Sequence, residues 1–219
     1  MSYTTIQNKL SECNHFIDSK KYKERKGDGF VGNGFEEFLG ISENNKRHSD
    51  LEGLELKTKD LNKSCLVTLF TSGKQDGNFK VPKGYFLKTY GKGNIDFVAN
   101  TSNLKITVLE DDTVQLVDSL KNKVLYEIAR SELEPLFINK LKNLLIAYYI
   151  KKGDMNIITC TRYFESFSSD KFFNLIRTGK VTISLRDSGD HDHGTAFRIS
   201  DGRIHEVYEK NETKMWVKK

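Results

Sequence analysis

The stretch SDLEGLELKTKD, residues 49 to 60, sets Asp50, Glu55 and Lys57 close together. Side chains two apart on a strand point the same way, so Glu55 and Lys57 share one face while Leu54 and Leu56 occupy the other. Asp50 lies just ahead, in the polar segment ENNKRHSD, and Gly53 permits a bend that returns its carboxylate to the side of Glu55. Two carboxylates converging with a backbone carbonyl supply the hard oxygen ligands that Mg²⁺ prefers, and such a pair repels itself without a cation. A nearby Lys can orient a water and stabilise negative charge developing on a phosphate. The competing reading is a solvated edge strand with surface ion pairs, because Asp, Glu and Lys at these spacings recur by chance in a chain with 30% charged residues.

The elements that must position these residues follow from patterning. Ile6, Leu10, Cys13, Phe16 and Ile17 recur at three- and four-residue steps and predict an amphipathic helix from about Ile6 to Tyr22. KKYKERKGDGFVGNG, Lys20 to Gly34, combines five Lys or Arg with four glycines and reads as a cationic loop. FEEFLGI then makes a short helix with Phe35, Phe38 and Leu39 on one face and Gly40 as its stop. Residues 49 to 60 and Cys65 to Gly73 read as strands, and Gly84 to Tyr126 as a meander that extends the same sheet. Ser131 to Lys152 carries Ser131 and Glu134 in capping-box spacing and predicts one long helix. MNIITCTRYFESF is a strand candidate, SDKFFNLIRTG a short capped helix, and KVTISLRDSGDHDHGTAFRIS two strands around a polar loop. The expected class is mixed α/β or α+β, without repeats or a long linker.

Composition narrows the setting. A chain of 219 residues with 37% hydrophobic content can bury a real core. Its longest wholly apolar or aromatic run, Leu144 to Ile150, is far short of the ~20 residues of a membrane span, and the N-terminus lacks the order of a signal peptide, so a cytoplasmic address and no membrane partner are expected. Cys13, Cys65 and Cys160 are widely spaced without a CxxC pair, which favours ordinary packing roles over disulfides or a zinc cluster. The net charge of +5 is compatible with a polyanionic partner and does not specify one.

The context upstream of Asp50 is more specific than the triad. GFVGNGFEEFLGI places a glycine-rich segment before a short helix, with Glu36 four residues ahead of Gly40. ENN at Glu43 to Asn45, Asp50, and GLELK at Gly53 to Lys57 follow in order. Over about 30 contiguous residues this combination resembles the MvaI/BcnI group of restriction endonucleases, in the MutH-like branch of the PD-(D/E)xK nucleases. The resemblance implies a restriction-endonuclease-like mixed central β-sheet flanked by helices, with a C-terminal β-rich recognition part. One nuclease chain, 1–219, would then divide into a catalytic part over about 1–130 and a helix plus DNA-recognition part over about 131–219. It makes Asp50 and Glu55 the Mg²⁺ ligands with the Leu56 carbonyl as a third, Lys57 the residue that positions the attacking water, and Glu36 an orienting acid behind the metal site. It implies Mg²⁺-dependent hydrolysis of double-stranded DNA leaving 5′-phosphates, by a monomer that nicks each strand in turn, with a cognate methyltransferase acting on the same site without needing to bind. The family's usual Pro before the Asp is Ser49 here; Pro in that place only stiffens the approach. Glu37, about 100° around the helix from Glu36, and Glu52, followed by Gly53, are expected to face solvent.

Base reading is expected from Ser184 to Ser200. Arg186 and Arg198 suit guanine O6 and N7, Asp187 and Asp190 can accept from cytosine N4, and His191 and His193 lie among them. A solvated turn between strands, or half of a metal site at HDH, are the alternatives. Phosphate contacts are expected from the lysines and Arg25 around Lys26, from Asn33 in the glycine-rich segment, and from GKGN with Lys92. Lys83, Lys88 and Lys92 interleave with Tyr85, Phe86 and Tyr90 in a stretch that is either a groove-facing arm or core. Three functions fit: a type II restriction endonuclease, a MutH-like strand-nicking repair enzyme, and a DNA-binding domain without catalysis. The intact Asp50, Glu55 and Lys57 weigh against the last.

Overall fold

Leu144 to Tyr149 are buried without exception, and a segment apolar on both sides belongs in the middle of a sheet. In the computed structural model of the chain these residues form a strand, where helical periodicity had predicted the second half of a helix. The structure describes residues 2–12, 16–17, 30–41, 49–51, 53–63, 66–72, 77–82, 88–90, 96–98, 104–153, 155–187 and 192–216. In chain order its elements are α1 (Tyr3–Glu12), β1 (Phe16–Ile17), α2 (Phe30–Leu39), β2 (Leu54–Asp60), β3 (Leu66–Ser72), β4 (Asn78–Phe79), β5 (Asp96–Val98), β6 (Leu104–Val108), β7 (Val114–Asp118), β8 (Lys123–Ile128), α3 (Arg130–Lys140), β9 (Asn143–Lys152), β10 (Met155–Phe167), α4 (Ser169–Arg177), β11 (Val181–Asp187), β12 (Asp192–Ser200), a 3-10 helix (Asp201–Val207) and β13 (Tyr208–Met215). Among the described residues no helix is long and apolar enough to cross a membrane.

The chain forms two compact units, each assembled from separate segments. Met1–Ser64, Asn139–Phe167 and Tyr208–Lys219 make the first; Cys65–Ile138 and Ser168–Val207 make the second. A single division near residue 130 is therefore not how the chain partitions.

The first unit is built on a five-stranded sheet. β2 runs parallel to β9, with Glu55 opposite Leu144 and Lys57 opposite Ile146. β9 pairs antiparallel with β10, whose other edge takes β1 near its start and β13 along the rest. Leu54, Leu56, Leu145, Ala147 and Tyr149 give the sheet one apolar face, and Ile6 and Leu10 of α1 with Val31, Phe35 and Leu39 of α2 cover it. Truncating a residue as buried as Phe35 costs about 3–5 kcal/mol. α1 stops at Glu12, ten residues before the predicted end, because Phe16 and Ile17 spend their backbone groups on pairing with Ile157 and Asn156. α2 starts at Phe30 and absorbs Gly32 and Gly34, which had been read as loop. Gly34 is buried, and a Cβ on Gly32 would meet Thr58 Oγ1 at an ordinary 3.7 Å, so Gly32 faces β2 with room for a methyl group. The helix ends as expected at Gly40, φ +81°, where Ile41 N–H donates to the Glu36 carbonyl and Gly40 N–H to that of Glu37.

In the second unit β3, β12, β11 and β5 form one four-stranded sheet and β4, β8, β7 and β6 another. Of the predicted meander, β6 and β7 join the unpredicted β8 and β4 in a sheet of their own, whereas β5 pairs with β11 and so extends the sheet that contains β3. Phe70, Phe137, Phe172 and Phe197 pack edge-to-face and stacked in the core, with ring centroids 4.6 to 6.4 Å apart. α3 is entered through half a capping box: Glu132, not Glu134, reaches back to the Ala129 N–H at 2.9 Å. Glu134 pairs instead with Arg130, which also binds Asp112 and Asp170. α4 is capped by Ser168, whose hydroxyl accepts from the Lys171 N–H.

Candidate active site

The loop before β2 is fixed by its own polar groups. Leu51 and Leu54 exchange backbone hydrogen bonds of 3.0 Å across a turn closed by Gly53, whose φ of +74° suits glycine. Ser49 fastens that turn twice: its hydroxyl donates to the Leu51 carbonyl at 2.6 Å and accepts from the Gly53 N–H at 3.1 Å. The Ser49 N–H donates to the Asn139 carbonyl at the end of α3, a bond the family's proline could not make. The bend returns Asp50 to β2, where its Oδ2 accepts the Leu56 N–H at 2.8 Å. A side-chain carboxylate thus continues the pairing along the edge of β2 that Leu51 begins.

Glu55 is the buried member of the pair, with its side chain 4% exposed. Its Oε1 receives Lys57 Nζ at 3.0 Å, from the same face of the strand, and Lys140 Nζ lies 3.5 Å from the same oxygen. Glu55 Oε2 is buried without a hydrogen-bond partner among the described residues, an arrangement that ordinarily costs about 1–3 kcal/mol. Tyr208, at the start of β13, is fully buried; burial pushes its hydroxyl well above the ordinary 10.0, and the negative charge of Glu55 adds to the shift. A neutral Tyr208 is therefore kept beside an ionisable carboxylate.

A buried carboxylate oxygen without a partner among the described residues, on the residue before the one whose N–H holds the Asp50 carboxylate, offers the hard oxygen that a divalent cation takes. The set is two carboxylates and backbone oxygen: among the described residues there is no group of three or more His, Cys, Asp and Glu that could hold a metal.

A sequence model of the MvaI/BcnI restriction endonuclease family matches residues 8–208. The chain belongs to the MvaI/BcnI restriction endonuclease family. It is accordingly a DNA endonuclease of the type II restriction class. Among solved structures it is similar to the restriction endonuclease MvaI in complex with its cognate DNA substrate, at 23% identity and a TM-score of 0.73, over 99% of this chain and 100% of that one. MvaI in the absence of DNA matches at 19% identity and a TM-score of 0.45, over 99% and 100% of the two chains. No curated protein matches the sequence. The restriction-endonuclease-like fold expected for the family is the fold observed.

The structure brings Asp50, Glu55, Leu56 and Lys57 together around the start of β2. Glu36 is half-buried on α2 and Glu37 is exposed, as expected. The helix covers the Leu54 and Leu56 side of the sheet, opposite the face that carries Glu55 and Lys57. Asn33 is half-buried on the same helix. Arg186 and Asp187 fall at the end of β11 and His193 on β12, all in the second unit. Arg198, also on β12, donates from Nε to Thr68 Oγ1 at 3.2 Å, which holds its side chain against β3. Lys26, Glu52, Asp190, His191 and the segments around Lys83 and Lys92 lie outside the described residues. Sequence reasoning missed Lys140 and the stitching roles of Ser49 and Asn139. Lys140 stands 85 positions after Glu55, in a segment read as mid-helix, and no local pattern marks it.

Proposed function

We propose that Asp50 and Glu55 hold a divalent cation, Mg²⁺, and that this enzyme hydrolyses double-stranded DNA at a short specific site, leaving 5′-phosphates. The observation that carries the reading is the Glu55 carboxylate: buried, with Oε1 on Lys57 and Oε2 without a partner, beside an Asp50 carboxylate anchored to Leu56. The Leu56 carbonyl is the third ligand in this reading. A residue in a strand points its N–H and C=O to the same side, and the Leu56 N–H is already on Asp50. When bound, such an ion stabilises the negative charge that builds on the phosphate. Lys57, fixed by Glu55, orients the attacking water in line with the departing 3′-oxygen and offsets charge near it. Glu36 serves as an orienting acid carried on α2.

Double-stranded DNA as partner is supported by the family and by the likeness to an endonuclease solved on its DNA substrate. In this reading Arg186, Asp187, His191, His193 and Arg198 read base edges, while Lys26 and Asn33 contact phosphates. The enzyme acts as a monomer, nicking one strand and then the other, and a methyltransferase of the same specificity protects the host site.

The test is to incubate the protein with a fully sequenced plasmid or viral DNA, with Mg²⁺ or with EDTA, beside Glu55→Ala, and to sequence the fragment ends. Discrete Mg²⁺-dependent fragments with 5′-phosphates, absent from Glu55→Ala, are expected. Intact DNA across divalent metals and methylation states overturns the catalytic reading for the isolated chain and leaves a partner-dependent nicking enzyme.

A further inference from the structure

The metal-ligand reading assigns no role to Lys140, yet its placement is built into the fold. It is the last residue of α3, and the turn that follows is pinned on both sides to the loop that carries Asp50. The Asn139 carbonyl accepts from the Ser49 N–H at 3.1 Å, and the Gly53 carbonyl accepts from the Asn143 N–H at 3.1 Å. From this fixed base Lys140 Nζ comes within 3.5 Å of Glu55 Oε1, the oxygen that already binds Lys57 at 3.0 Å.

Two ammonium groups on one oxygen, with the other oxygen of the same carboxylate unpartnered among the described residues, is a poor way to neutralise a single charge. The cations repel each other and each gives up side-chain entropy. The arrangement is accounted for if one cation is held there for another use. Lys57 is tied to Glu55 by strand geometry, two residues away on the same face. Lys140 comes from another element, makes the longer contact and is the more exposed, 30% against 20%. Asp50, Glu55, Lys57 and Lys140 sum to zero charge by themselves. A divalent cation on the two carboxylates adds two positive charges beside both lysines and weakens the hold of the looser one. The anion that then enters the site is a DNA phosphate.

We propose that Lys140 is a phosphate-binding residue of the active site, held on Glu55 in the metal-free enzyme and transferred to a DNA backbone phosphate once Asp50 and Glu55 take a divalent cation. This rests on the metal-ligand reading above.

Two measurements that need no cleavage test it, on the wild type, Lys140→Met, Lys140→Gln, Lys140→Arg and Glu55→Gln. The first is calorimetric titration of the protein alone with Ca²⁺. The second is binding, in Ca²⁺ and over a range of salt, of a duplex carrying the site that fragment-end sequencing defines. Lys140→Met is expected to bind Ca²⁺ roughly tenfold more tightly, the scale on which an opposite charge within ~4–6 Å alters a carboxylate's hold on a competing proton. Its plot of log affinity against log salt should be shallower than wild type by about 0.9, one phosphate contact, and Lys140→Arg should restore the wild-type slope. Lys140→Gln removes the same charge and stands in for Lys140→Met if that variant does not fold. A wild-type slope in the folded neutral variant overturns the proposal whatever the Ca²⁺ titration gives. Ca²⁺ binding that survives Glu55→Gln overturns the metal-ligand reading itself. Loss of binding there, with an unchanged slope in the neutral Lys140 variant, overturns the role of Lys140 alone.

Discussion

Asp50 is given two tasks by its position, and a pair of substitutions separates them. Its Oδ2 closes the edge of β2 by accepting the Leu56 N–H at 2.8 Å, and in the proposed reading its charge helps to hold a cation. Asp50→Asn keeps an acceptor oxygen in place; Asp50→Ala removes it. A hydrogen bond to a charged group contributes about 1.5–3 kcal/mol and a neutral one about 0.5–1.5 kcal/mol. The Asn variant should thus lose about 1 kcal/mol on the bond, and recover part of that because the metal-free enzyme no longer holds two carboxylates at one site. Its stability in EDTA should match wild type within about 1 kcal/mol. The Ala variant leaves the Leu56 N–H without its acceptor and should lose about 2 kcal/mol, or about 4–8 °C in Tm for a chain of this size. Both variants lose a ligand of the cation. If that ligand supplies about 4 kcal/mol of transition-state stabilisation, single-turnover cleavage in Mg²⁺ falls about a thousandfold in both. The assays are thermal or denaturant unfolding in EDTA and single-turnover cleavage in Mg²⁺. An Asn variant that cuts within tenfold of wild type refutes the metal role, and an Ala variant as stable as wild type refutes the structural one.

Gly53→Ala forces a side chain onto a φ of +74°; its Cβ would meet Lys142 Cδ only at an ordinary 3.5 Å, so the penalty is conformational, about 1–2 kcal/mol. Cleavage should fall by more than that stability loss implies, because the turn sets Asp50, and a drop in stability with unimpaired cutting would contradict the argument. Ser49→Ala deletes two hydrogen bonds of the same loop and should cost about 1–2 kcal/mol in denaturant unfolding, with unchanged stability counting against the stitching role. Arg198→Ala should lose cutting at the cognate site while still binding Ca²⁺ in calorimetry; unchanged sequence preference removes Arg198 from base reading. Tyr3, Tyr163 and Tyr208 are each held above the ordinary 10.0, chiefly by burial. A raised folded value means the unfolded chain gives up these protons first as pH rises, so the stabilisation is complete below about pH 10 and lost above it. Denaturant midpoints should fall between pH 9 and pH 11, less steeply in Tyr208→Phe, and a flat profile would contradict the shifts.

The geometry around the start of β2 was legible in the local pattern because its parts are close in sequence. Glu55 and Lys57 are linked by the two-residue period of a strand, and Gly53 marks the bend that brings Asp50 back to Leu56. The stop at Gly40 was equally legible, since a left-handed residue after a helix is a local requirement. The errors arose where tertiary pairing overrides local preference. Leu144 to Ile150 has apolar residues at every position and satisfies a helical period as easily as a buried strand; only a place between β2 and β10 decides between them. Phe16 and Ile17 continue the spacing of α1, yet their backbone groups pair with β10, about 140 residues away. Gly32 and Gly34 read as loop because helix propensity penalises glycine, whereas the packing of Val31, Phe35 and Leu39 against the sheet carries the helix through both.

The features that resist explanation as stability devices gather at one place. A buried carboxylate oxygen has no partner among the described residues, its other oxygen carries two cations, and a positive φ is spent on returning a second carboxylate to the same strand. A well-packed apolar residue at position 55 would remove the desolvation of a charge, which in buried ion pairs rivals or exceeds the attraction that offsets it. The surroundings do offer an apolar environment: Leu144, opposite Glu55 in the register, is fully buried, and Tyr208 is kept neutral. The fold nevertheless holds an anion there, anchors the loop before β2 to the end of α3, and brings Lys140 to the same oxygen. The buried charge is the unfavourable element among these, and in the proposed reading it and Lys140 become complementary when a divalent cation and a phosphate are added. The cation would supply a partner for Glu55 Oε2, and the phosphate one for a displaced ammonium. On that reading the site is organised for a bound state, which is the arrangement expected where binding and transition-state stabilisation, not folding, determine which residues are kept.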